Sequence, residues 1–314
     1  MPNSHFIDIA KSIRGPVYPI CPAFAADGSL DFQTTGAYVR YLIEHGARYI
    51  MTTAGTSRFN LLSDDEIKAL NKCVVDASGS ALTIVGNSMQ GGTDTAVSFA
   101  RHTQEIGADA LLVFYPERFY GNTDVFDYYA AISKASPDIG IMIHASPMRA
   151  AAPTSGPMSP FSVPLVRMMC DLPNFIGMKE EHGNETLRYD LLTAFGAELS
   201  FIVAGSAMAM YASCAPYGVQ AYLTSVGSFK PEIEEKFYSA YAEGRLDDAL
   251  ALVRTYEDPF FEVAKPAGWH LAMKTALDLL GLMPDHERAP LKPLGDAGRK
   301  PIADVLKTFG WMSQ

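Results

Sequence analysis

The stretch FIGMKEEHGN, Phe175 to Asn184, sets the reading of the whole chain. A short apolar run ends on a lysine, Lys179, and passes at once into charged and turn-forming residues. Lysine is strongly hydrated and seldom closes a buried strand. The run is too short for a helix and nearly continuous in apolar character, as a parallel strand covered on both faces is. In a barrel of such strands, the residues at the strands' C-terminal ends face the site where chemistry is done. A lysine there is partly desolvated. Desolvation disfavours the ammonium and leaves a nucleophilic amine, which condenses with a ketone to a Schiff base. The bland alternative is a lysine that reaches solvent or pairs with Glu180.

Working outward, similar runs recur along the chain. They are VYPIC (Val17 to Cys21), RYIMTT (Arg48 to Thr53), LTIVG (Leu82 to Gly86) and ALLVF (Ala110 to Phe114) before the lysine strand. GIMIH (Gly140 to His144) directly precedes it, and LSFIVA (Leu199 to Ala204) and AYLTS (Ala221 to Ser225) follow. Amphipathic stretches fill the gaps. Ser63-Asp64-Asp65-Glu66 spells a capping box. Thr93 and Thr123 are expected as N-caps, and Gly46 and Gly107 as left-handed helix ends before strands. Eight strands with helices between them is the pattern of a (β/α)8 TIM barrel. A doubly wound sheet is the rival, but no GxGxxG or GxxxxGK[ST] follows the early strands. From about Lys230 the pattern is helical only, more than one last crossover needs. We therefore expect a barrel over residues 1–229 that carries the active site and a C-terminal all-helical domain over 230–314.

The chain has 314 residues, 48% of them hydrophobic and 19% charged, an ordinary globular balance. A formal net charge of -10 argues against nucleic acid and anionic membrane as partners, while a few local cations suffice for a small anion. The four cysteines are scattered with no CxxC pair. The histidines show no HExxH and no pairing with cysteine. We expect no metal site, no disulfide framework and no cofactor. The first residues lack the apolar core of a signal peptide, and no run reaches the roughly 18 apolar residues of a membrane span. A cytoplasmic protein is expected.

The motifs resemble those of the pyruvate-dependent class I aldolases that include dihydrodipicolinate synthase and N-acetylneuraminate lyase. That family's lysine stretch reads like G-[IM]-K-[ED]-x-x-G-[ND], matched here by Gly177 to Asn184. The similarity begins at PICPAFAADGSLD (Pro19 to Asp31), resumes at Gly205-Ser206, and ends at KTALDLLGL and RAPLKPL (Arg288 to Leu294). The resemblance implies a (β/α)8 barrel with a small helical C-terminal domain, a homotetramer or homodimer, and a Schiff base on Lys179. It implies a lyase, an aldolase or a dehydratase, acting on a 2-oxo acid such as pyruvate or a 2-keto-3-deoxy sugar acid.

Three stretches depart from the family. Its G-[TS]-T-G-E loop, which clamps the keto acid's carboxylate, becomes Ala54-Gly55-Thr56-Ser57-Arg58. Gly55 replaces the first hydroxyl residue, Thr56 keeps the second, Ser57 replaces a glycine and Arg58 the glutamate. Small hydroxyl residues in a turn still suit a carboxylate. The family's proton-shuttling tyrosine, in [LI]-Y-[ND]-x-P, becomes His144. Histidine ordinarily titrates near neutrality and can donate or accept a proton. The relay's second tyrosine falls near YPERFY, which leaves Tyr115 and Tyr120 as substrate-binding candidates. Arg149 keeps the offset of an arginine that holds a second carboxylate, in a Pro- and Ser-rich loop after strand five. After strand eight, the backbone carbonyl of Leu223 is expected near the substrate. The loss of the tyrosine and of the first clamp hydroxyl motivates the rival reading, a keto-acid-binding protein without turnover.

Overall fold

The computed structural model describes residues 4–53, 55–116, 119–145, 161–181 and 183–313. Eight parallel strands close in chain order into a barrel: β1 Gly15–Pro19, β2 Tyr49–Thr52, β3 Leu82–Gly86, β4 Ala110–Phe114, β5 Gly140–Ala145, β6 Phe175–Glu180, β7 Ser200–Val203 and β8 Ala221–Leu223. Six of the expected runs lie on these strands to within a residue at each end. β1 sits two residues earlier than the VYPIC run because the chain enters it at Gly15, in the left-handed region at φ +80°. β8 is cut to three residues by the polar turn that starts at Thr224.

Side chains alternate across the wall, as strand geometry requires. Val17, Met51, Ile84, Leu112 and Met142 fill the barrel, while Ile50, Leu111, Ile143 and Phe201 face the helices. Each fully buried aliphatic side chain of this kind stabilises by roughly 1.5–3 kcal/mol. The N-terminal helix Ser4–Ser12, absent from the sequence reading, turns Phe6 and Ala10 into the same inner cluster. The capping box at Ser63 is formed in full. Gly46 and Gly107 take the left-handed conformation expected of them, at φ +108° and +76°. Thr93 and Thr123, by contrast, lie inside their helices. Gly92 and Gly121 hold the cap positions because their extended backbone turns the chain one or two residues sooner.

Beyond β8 the chain is helical: Pro231–Ala242, Leu246–Leu252, a π turn at Val253–Glu257, then Asp258–Ala267, Trp269–Leu279 and Asp296–Thr308. The first of these lies against β1, where the Tyr18 hydroxyl donates to Glu235 Oε1 at 2.9 Å. No helix among the described residues is long and apolar enough to cross a membrane.

Candidate active site

β6 carries an extra residue. Ile141 pairs with Phe175, but Met142 pairs with Gly177, so Ile176 has no opposite number and forms a bulge. The bulge resets the side-chain alternation. Ile176 points into the barrel, Met178 packs outward with the helices, and Lys179 points inward again. Without the extra residue, Met178 and Glu180 would face the interior and the lysine would not. Glycine is required at the bulge. Gly177 has φ +153°, and a β-carbon there would stand 1.9 Å from the Ser200 carbonyl oxygen. A Gly177→Ala change would break this register.

Lys179 is 1% exposed. It pairs directly across β5–β6 with His144, and its Nζ lies 3.2 Å from His144 Nε2. The Nζ also donates to Glu181 Oε2, which is 3.8 Å from His144 Nε2. The lysine's partner is thus Glu181 and not Glu180, which faces outward and accepts from Arg188 Nε. His144 stacks on Phe114, with ring centroids 4.3 Å apart, and its Nδ1 has no partner among the described residues. Burial, joined by the charge of Lys179, pushes His144 down to about 4. The near-neutral titration expected of a histidine is therefore lost in this setting. Burial pushes the Glu181 carboxyl up, but Lys179 and His144 outweigh it and hold it well below the usual carboxylate range.

Lys179 and Glu181 line a cavity of about 310 Å3, and His144 stands behind them. Gly55, Thr56, Leu223 and Thr224 line it from the barrel loops, and Gly205 and Ser206 from the turn after β7. Thr224 is buried and its hydroxyl has no partner among the described residues. Phe261, Lys265, Trp269 and His270 line the cavity from the C-terminal helices. The wall behind Thr224 is fixed by Ser225, whose Oγ donates to Glu257 at 2.7 Å and whose N–H donates to Glu234 at 2.9 Å. Burial and the charge of Glu257 raise Glu234 to about 7.

Lys179, His144, Gly55, Thr56 and Leu223 are thus brought to one place. Ser57 is fully buried, with its hydroxyl engaged by the Ile20 carbonyl and the Thr53 N–H at 2.7 and 2.9 Å. Tyr115 is buried between Phe119 and Phe161 and does not line the cavity. Tyr120 is 71% exposed on the surface. Arg149 lies outside the described residues. Sequence reasoning missed Glu181, Thr224 and every contribution of the C-terminal helices. The acidic pair after Lys179 was a legible hint of the first, and the Thr-Ser pair after β8 of the second. Among the described residues, no group of three or more His, Cys, Asp and Glu side chains could hold a metal ion.

Comparison with known proteins agrees on one family. The sequence profile of the Dihydrodipicolinate synthetase family matches residues 12–309. The chain is 27% identical over 308 residues to a protein of Streptomyces griseus named probable 5-dehydro-4-deoxyglucarate dehydratase, covering 94% of this chain and 92% of that one. It is 25% identical over 304 residues to the 4-hydroxy-tetrahydrodipicolinate synthase of Pelobacter propionicus, covering 95% and 99%. The solved N-acetylneuraminate lyase of Fusobacterium nucleatum superposes with a TM-score of 0.83 at 18% identity, over 95% of this chain and 99% of that one.

Proposed function

The chain belongs to the dihydrodipicolinate synthetase family and is a Schiff-base-forming lyase of 2-oxo acids; from that premise we propose that it dehydrates a 2-keto-3-deoxy sugar acid through an imine on Lys179. The observation that carries the proposal is the triad at the top of the barrel. A buried lysine stands 3.2 Å from a histidine and bonds a carboxylate, and the lysine and carboxylate line a cavity of about 310 Å3. The name of the Streptomyces griseus relative, probable 5-dehydro-4-deoxyglucarate dehydratase, supports dehydration over aldol cleavage.

In this reading Lys179 gives up its proton to water in the cavity, Glu181 aims the amine, and the amine attacks the C2 carbonyl. Loss of water gives the iminium. The C3 proton then leaves to His144 as its bonding pair flows toward the iminium and forms an enamine. The enamine expels the C4 hydroxyl, and His144 returns the proton so that it departs as water. Thr56 and the backbone about Gly55 hold the C1 carboxylate, and the Leu223 carbonyl borders the reacting carbons. The barrel, residues 1–229, supplies this chemistry, and residues 230–314 supply the facing wall. We place the protein in the cytoplasm, as its sequence suggests, and, as the family resemblance implies, in a homotetramer or homodimer.

The test is turnover of 2-keto-3-deoxy hexonates and hexarates, followed by mass spectrometry. We expect products lighter than substrate by at least one water. Release of pyruvate and an aldehyde instead would mean aldol cleavage. An adduct on Lys179 with no product would mean a binding protein.

A further inference from the structure

We propose that His270, a residue of the C-terminal helices, binds substrate: its imidazole stands in the side-chain space that Gly55 leaves open and donates a hydrogen bond to the keto acid's carboxylate. The inference rests on the Schiff-base reading above.

Gly55 has no side chain to offer the cavity, yet the space beside it is filled. A β-carbon on Gly55 would lie 3.6 Å from His270 Nε2 and 3.7 Å from its Cε1, ordinary contact distances. The ring lines the same cavity as Lys179 and Thr56. Neither ring nitrogen bonds to a described residue, so one N–H is available to a ligand. Burial, with the charge of Arg58 beside it, lowers His270 to about 4, which keeps the ring neutral and able to donate from one nitrogen.

Its position is also held from both sides. Arg58 Nη2 donates to the His270 carbonyl at 2.9 Å, while Arg58 Nη1 donates to the Thr56 carbonyl at 2.8 Å. One guanidinium therefore fixes the strand-two loop and the His270 backbone, from which the imidazole projects, relative to each other. One turn further along the same helix, Lys274 donates to the Pro22 carbonyl and lies 5.2 Å from the centre of the Phe24 ring. A group meant only to fill space would need neither the free nitrogens nor this alignment. Gly55 and Arg58, two departures from the family loop, thus act together with His270.

The test measures how trapping of pyruvate on Lys179 by borohydride depends on pyruvate concentration. His270→Leu keeps bulk without an N–H, and we expect the apparent affinity to fall about 10- to 100-fold, the usual worth of a hydrogen bond to a charged group. His270→Gln, which keeps a donor, should stay near wild type. Gly55→Ser/His270→Ala, which returns a hydroxyl from the loop side, should recover most of the loss. Equal affinity in wild type and His270→Leu overturns the proposal. So does a Gln variant as weak as Leu together with an unrescued double variant, which would leave His270 as filler. Absence of adduct in the wild type defeats the Schiff-base reading itself, and the inference with it.

Discussion

Two of the ion pairs near the top of this barrel, Arg58–Glu287 and Lys179–Glu181, behave as opposites. Arg58 and Glu287 are 2% and 0% exposed. The guanidinium also donates to the carbonyls of Thr56 and His270, so its neighbours are all fixed protein acceptors. Lys179 is as deeply buried, but its partner Glu181 is 34% exposed and both border the cavity. His144 shares the pair and keeps Nδ1 without a partner among the described residues. Burial of charge alone therefore does not mark chemistry. The saturated pair ties the C-terminal helices to the barrel. The unsaturated one can exchange a protein partner for a ligand.

The comparison breaks first at His144. His144→Phe keeps the stack on Phe114 but removes the proton carrier, and turnover should fall about 10²–10⁴-fold. Lys179 should still be trapped by pyruvate, since water can move some protons in imine formation. Intact turnover would place the shuttle elsewhere. The same rate should show no titration near neutrality from His144, because its protonated form is confined to about pH 4 and below.

Next comes the saturated pair. Glu287→Ala leaves a buried guanidinium uncompensated, and we expect a loss of about 3–5 kcal/mol in chemical denaturation. Glu181→Gln should cost much less stability, because solvent reaches its side chain, while it slows turnover. Equal stability losses in the two variants would erase the distinction between the pairs.

The smallest effect concerns Glu234, behind the cavity wall. Its folded value, about 7, lies above the ordinary 4.5. The folded state thus holds a proton that the unfolded state has lost, and this contribution to stability, complete below pH 4.5, disappears as pH rises toward 7 and beyond. Glu257, Ser225 and Tyr222 surround the group, and Glu257 is raised as well. Glu234→Gln mimics the protonated form, so its melting temperature relative to wild type should climb between pH 4.5 and 7.5. A constant difference would contradict the assignment.

What the sequence made legible was local. Lys179 at a strand end, His144 one strand before it, and the loop at Gly55–Arg58 each announce themselves by residue type in a short window. The inward aim of Lys179 depends on one bulged residue, which the glycine beside it hints at but does not prove. Glu181 was overlooked because the lysine's partner was sought in the adjacent residue, Glu180, whereas strand alternation puts Glu180 on the opposite face and Glu181 on that of Lys179. His270 and Trp269 sit in WHLAMKTALDLLGL, which reads as an ordinary amphipathic helix. Their place in the cavity follows from docking through Glu287 and Lys274, contacts about 230 and 250 residues apart in sequence. Tyr120 drew attention by resemblance to a motif, yet nothing local could show that its side chain lies on the surface.

The central claim is that Lys179 forms the imine. The direct measurement is borohydride reduction in the presence of pyruvate, followed by peptide mass spectrometry of wild type and Lys179→Ala. The account predicts a reduced three-carbon adduct on Lys179 in the wild type and none in the variant, with both proteins equally folded. Adduct on another lysine, or none with any 2-oxo acid, would contradict it.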